Sequence, residues 1–260
     1  MGEFVNPFLR LDVFLLILIR MVSFIAVVPL FGIKGIPAYA KIGLAFFLAL
    51  ILFNVVPVNE VSYMDSVVGY AVIVMKEIIV GWLIGFGVYL TFSIINLAGQ
   101  IIDHNIGFAM VNVFDPLSQV QLPITANLYY YIFLLLLITT NMHFFIIQGI
   151  IESFRLIPIG EMVIHPGLYT TMIGFMTDYF VIAFKIASPV FATILIVNVI
   201  LGILARTVPQ MNMFVIGLPL KIFVGLVVLV FTIEFMPNVG NLIFNKMLDT
   251  MDQIIRGLMP

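Results

Sequence analysis

Asp103 and His104 are adjacent polar residues inside the tract "GQIIDHNIGFAMVNVFDP", Gly99 to Pro116, which also carries Asn112 and Asp115 at an N-x-x-D spacing. A carboxylate and an imidazole do acid–base work when both reach one proton. Sequence neighbours on a helix diverge, so Asp103 and His104 do not have the spacing of a dyad. His143 and His165 lie far away, with no H-E-x-x-H and no second ligand at metal-binding distance in sequence. His143, in "TTNMHFFI", reads as a hydrogen-bonded residue near a helix end. The chain has no cysteine, hence no thiolate metal site and no disulfide framework. G-x-S-x-G, a phosphate loop and a Rossmann fingerprint are absent. The glycines of "GWLIGFG" stand in an apolar stretch, where small residues signal helix packing rather than phosphate binding. The residues predict neither an enzyme nor a bound metal or cofactor.

The elements that carry these residues are those of a membrane protein. Of 260 residues, 63% are hydrophobic and 9% charged, against about 25% charged in soluble domains. The net charge of -2 comes without any Lys or Arg run to grip phosphates, so nucleic acid is not an expected partner. Six apolar stretches stand out, at about Val13–Leu30, Ile42–Val58, Val67–Ala98, Ile124–Ile151, Thr170–Ala205 and Met213–Met236. The third and fifth, roughly 48 and 54 Å as straight helices, exceed a ~30 Å hydrocarbon core. Each must break in two or project beyond the bilayer, and Pro189 is a candidate break in the fifth. From about Gly240, Ile243, Met247, Met251, Ile254 and Leu258 share one helical face and Lys246, Asp249, Asp252, Gln253 and Arg256 another. That pattern predicts an amphipathic helix lying at an interface or on a partner. The fold class is therefore all-α, of polytopic membrane type, with about six long, partly broken apolar helices, an apolar re-entrant loop and an amphipathic C-terminal helix. The connectors are too short for a second domain, so 1–260 is one domain. The opening "MGEFVNPFLRLD" lacks a basic n-region and cleavage site, and the first span is expected to remain in the mature protein.

Basic residues do not set an orientation. With the N-terminus outside, Lys34, Lys41 and Arg206 fall inside and Arg10, Arg155, Lys246 and Arg256 outside, which is no bias. Six charged residues, Arg20, Lys76, Glu77, Asp178, Lys185 and Lys221, lie within apolar segments. Facing lipid at mid-bilayer they would cost about 3 kcal/mol each, roughly 18 kcal/mol together. They must be paired, face water or face other protein, so Arg20, Lys76, Glu77, Lys185, Arg206 and Lys221 are candidate buried-charge or interface residues. Lys76 and Glu77 point to different sides of a helix and do not pair directly. Interior ion pairs and a polar conduit or subunit interface both remain open on these grounds. Lys221 can also snorkel.

Behind Asp103–Asn105, read as a helix end or turn, "GFAMVNVF" is too apolar for a free surface loop, and Asp115-Pro116 ends it in a turn. Such a loop must be buried in protein or line a cavity, because lipid satisfies no backbone groups. It is either a connector that only packs or a plug whose aromatic and Met side chains seal a pore.

At this point the chain resembles the flagellar biosynthetic protein FliR family and its type III secretion export-gate (SctT) counterparts. The resemblance rests on "RMVSFIAVVPLFG" with Arg20 and Pro29, on "AGQIIDHNIGFAM" through Asp115-Pro116, on "SFRLIPIG" at Ser153–Gly160, and on "RTVPQMNMFVIGLPLKI" at Arg206–Ile222. It implies a non-enzymatic subunit of a protein-export gate, built with FliP-like and FliQ-like membrane subunits and joined by an FlhB-like switch protein, through which unfolded flagellar proteins pass. It implies that about 1–165 is FliP-like and about 166–260 a FliQ-like hairpin. It also implies an inner-membrane location in the flagellar basal body, raised toward the periplasm. The family's plug maps onto Gly107, Phe108, Met110, Val111, Phe114, Asp115 and Pro116. Alternatives are a small-solute secondary transporter, favoured by intramembrane charges and proline-interrupted segments but lacking a visible inverted repeat, a virulence-system gate subunit, and a membrane scaffold without a pore.

Overall fold

A computed structural model describes residues 7–31, 36–56, 67–108, 123–210 and 212–260. Among these the regular elements are eight helices and no strand: α1 (Pro7–Val27), α2 (Ala38–Phe53), α3 (Val67–Ile106), α4 (Ile124–Thr139), α5 (Met142–Leu156), α6 (Gly167–Thr207), α7 (Met213–Ile233) and α8 (Met236–Arg256). Three described helices are long and apolar enough to cross a membrane, or four if α4 and α5 count as one broken span. The chain is an all-α membrane protein.

Neither overlong segment breaks. α3 and α6 are continuous over 40 and 41 residues, each about 60 Å long. Pro189 lies inside α6 without ending it. Proline at 189 has no N–H for the carbonyl of Lys185, and the Ser188 hydroxyl donates to that carbonyl at 2.8 Å instead. The break falls in the fourth segment, where none was expected. The Thr139 and Thr140 hydroxyls take the carbonyls of Leu135 and Leu136, and Asn141 adopts a left-handed conformation with φ of 59°, which Asn tolerates better than most residues.

The chain divides into two compact units. The first comprises Met1–Thr91, Asn141–Phe175 and Asn245–Pro260. Here Phe14 of α1 meets Phe46 and Phe53 of α2 edge-on, with centroids 5.6 and 5.8 Å apart. "GWLIGFG" lets helices approach α3 closely. A side chain at Gly81 would strike the Arg20 carbonyl, one at Gly85 would stand 3.0 Å from that of Phe24, and one at Gly87 would stand 2.6 Å from Ile254 of α8. The apolar stripe of α8 is covered by the chain itself. Met247, Met251, Ile254 and Leu258 are all buried, and Met251 packs over Gly149. The expectation of a partner-facing or interfacial helix is thus corrected: a helical stripe reveals that something covers it, not what. The chain's last residues pair back along the backbone, with the N–H groups of Val163 and His165 donating to Leu258 and Gly257.

The second unit comprises Phe92–Thr140 and Met176–Phe244. An aromatic cluster of Phe92, Phe133 and Phe244 forms its centre, with centroids 5.0 and 4.7 Å apart. Tyr129 and Thr232 share a buried hydroxyl–hydroxyl hydrogen bond of 3.0 Å between α4 and α7. Gly225 of α7 and Gly99 of α3 lie hard against Ile106 and Ala126 respectively.

Candidate functional site

Two constellations hold the polar residues singled out by sequence. In the first unit, Arg20 and Glu77 are buried, with side-chain exposure of 0% on both sides. Their contact is bidentate, Nε to Oε2 at 2.5 Å and Nη2 to Oε1 at 3.1 Å. The remaining guanidinium hydrogens reach the Ser153 and Ile157 carbonyls at 3.1–3.2 Å, so all five Arg donors have acceptors. These carbonyls belong to the last turn and cap of α5, where a helix leaves oxygens unpaired and favours a cation. Phe154 closes the site with its ring 4.2 Å from the guanidinium carbon.

Lys76 and Glu77 do not pair with each other. They reach the two backbone polar groups of one residue instead: Glu77 Oε1 accepts from Gly160 N at 2.9 Å, and Lys76 Nζ donates to Gly160 O at 2.9 Å. Gly160 has φ of 82°, a conformation that glycine adopts at no steric cost. The cluster thus ties α1 and α3 to the turn after α5. Ser153, Ile157 and Gly160 are its unforeseen members. They lie in "SFRLIPIG", but more than 130 residues separate Arg20 from Ser153, and no local pattern joins them.

The other charges stand differently. Lys221 is half-buried, while Lys185 and Arg206 are exposed on this chain.

In the second unit, Gly107 ends α3 with φ of 100°, and a side chain there would stand 2.9 Å from Leu218 of α7. Gly107 and Phe108 are half-buried. Met110, Val111, Phe114, Asp115 and Pro116 lie outside the described residues. Asp103 is buried and accepts the Thr125 N–H at 2.9 and 3.2 Å. α4 begins after Pro123, whose side chain offers no cap, so Asp103 supplies the capping oxygen from α3. The carboxylate therefore joins the two helices flanking the loop. His104 is exposed, and Asn105 bonds back to the Ile101 carbonyl. The half-buried His143 packs against Phe144, and its Nδ1 has no hydrogen-bond partner among the described residues. His165 Nε2 meets the Met259 carbonyl at 2.8 Å. Among the described residues no three His, Asp or Glu come together as a metal set.

Continuous apolar helices and interior charges joined to backbone turns define a helical membrane protein whose described polar residues position segments. The family model for bacterial export proteins, family 1, matches residues 11–247. The flagellar biosynthetic protein FliR of Bacillus subtilis is 35% identical over 246 residues, 93% of this chain and 94% of that one. FliR of Escherichia coli is 25% identical over 241 residues, 93% and 92% of the two chains. FliR of Aquifex aeolicus is 29% identical over 214 residues, 82% of each. The chain belongs to the FliR family of flagellar biosynthetic proteins, within the bacterial export proteins.

Proposed function

We propose that this chain is a subunit of the flagellar type III protein-export gate. It forms, with FliP-like and FliQ-like membrane subunits and an FlhB-like switch protein, the channel through which unfolded flagellar proteins leave the cell. The observation that carries this reading is the family match, which runs through nearly the whole chain and is shared with FliR proteins of similar length. On this reading the protein is a multi-pass component of the inner membrane in the basal body, with no catalytic role of its own. About 1–165 then plays the FliP-like part and about 166–260 the FliQ-like hairpin. Gly107–Pro116 is the plug, in which Phe108, Met110, Val111 and Phe114 exclude water from the closed pore. Support comes from its apolar sequence and from the Asp103–Thr125 bond between its flanking helices.

Deleting the chain should abolish secretion of hook and filament subunits, and normal secretion without it would refute the gate reading. Deleting 108–114 should leave the chain in the membrane but raise ion leakage through the assembled gate; unchanged leakage would remove the plug assignment alone.

A further inference from the structure

α3 changes the kind of surface it leaves open along its length. Up to Tyr89 every exposed residue of the helix is apolar or aromatic, Val68, Val72, Met75 and Trp82 among them. From Leu90 to Ile106 only three residues are exposed, Asn96, Gln100 and His104, and all three are polar. Steps of four residues place them in one line on the helix surface. The apolar residues of that stretch are buried or half-buried, so no second open line competes with this one.

The line carries hydrogen-bonding groups but no carboxylate, Lys or Arg. Gln100 Nε2 donates to Asn96 Oδ1 at 3.2 Å. The other half of each amide, Asn96 Nδ2 and Gln100 Oε1, and the His104 ring have no hydrogen-bond partner among the described residues. Lipid offers an amide no hydrogen bond, and polar groups in membrane segments face protein or a water-filled cavity. Three residues beyond His104, at Gly107, the loop proposed as the plug begins. The polar line therefore leads to the base of that loop.

From Asn96 to His104 the line spans about 12 Å, the length of three to four residues of extended chain. Side-chain amides offer the same donor and acceptor as a peptide group, so they can bond an extended backbone whatever its side chains are. We infer that Asn96, Gln100 and His104 form a wall of the export channel beside the plug, and that they hold the backbone of the polypeptide in transit by hydrogen bonds independent of its sequence. The inference rests on the gate reading, which supplies the unfolded chain. It adds which residues touch that chain and why substrates of different sequence pass, since a charged wall would retard one class of them.

A photo-reactive amino acid placed at Asn96 or His104 of the full-length protein, in flagellated cells, tests the contact. The probe is a filament subunit fused to a domain too stable to unfold, which stalls in the gate. Adducts with the stalled subunit are expected from both positions, spread over many of its residues, and none from Val72. Contact with the chain in transit also predicts that charge at Gln100 creates selection. Two filament subunits identical but for an acidic or a basic run should be secreted alike by the wild type. Q100E should favour the basic one and Q100K the acidic one, each by about fivefold, the effect of one unit-charge contact at about 4 Å in water. The ratio within one variant cancels any change in the amount of gate, and a residue that only packs against a neighbour would slow both subunits equally. Adducts only with another membrane protein or with lipid would overturn the inference, as would an unchanged ratio in Q100E and Q100K. If deleting the chain blocks secretion while these variants show no selection, the channel-wall inference alone fails. If deletion leaves secretion intact, the gate reading has failed first.

Discussion

Arg20 and Lys185 are both cations in apolar helices, and they are handled in opposite ways. Arg20 has a complete set of acceptors inside its own unit: a carboxylate on α3 and two carbonyls at the end of α5. Lys185 has an exposed face and no counter-charge among the described residues. The first arrangement ties three segments of the chain together, and the second is left without a counter-charge among the described residues. Arginine suits the first role because its planar fork satisfies several fixed acceptors at once, whereas lysine presents a single flexible point charge.

Removing one half of the buried pair gives the largest expected effect. R20M leaves Glu77 buried without its counter-ion, which should destabilise the protein by about 3–5 kcal/mol. It would be read as a fall in the thermal unfolding midpoint of the detergent-solubilised protein and in its membrane level. R20M/E77M removes both charges and should recover most of that loss, because well-packed apolar replacements of a buried ion pair are often near neutral. A double variant as unstable as R20M would mean that the carbonyl contacts, not the ion pair, dominate. D103A should cost about 1–2 kcal/mol, the scale of a lost helix cap. Protease cleavage in the 109–122 segment should rise in D103A, and an unchanged cleavage rate would show that Asp103 does not hold the loop's flanks. K185L should change the unfolding midpoint of the isolated chain least, within about 0.5 kcal/mol as for other surface sites. A large loss there would place Lys185 in the same class as Arg20 and dissolve the contrast.

The sequence made the existence of these sites legible, because insertion cost alone forbids Arg20 and Glu77 from facing lipid. It did not make their partners legible. Gly160 enters through its backbone and a positive φ, neither of which a composition or a period reports. The amphipathic stripe of α8 was visible in Ile243, Met247, Met251 and Ile254, but its cover, from Gly87 and Gly149, depends on contacts about 100 residues or more away. Pro189 misled because the hydroxyl of its neighbour Ser188 satisfies the carbonyl it frees. The true break, at Thr140–Asn141, depends on Thr hydroxyls and one left-handed Asn within a run that is apolar on both sides. Asp103 was read with its neighbour His104, while its partner Thr125 lies 22 positions on.

The most direct test is an image of this chain assembled with the FliP-like and FliQ-like partners proposed for it. The Gly107–Pro116 loop is expected on the channel axis, with Phe108, Met110, Val111 or Phe114 across the pore. A loop at the outer edge of the assembly, away from any channel, would contradict the gate and its plug together.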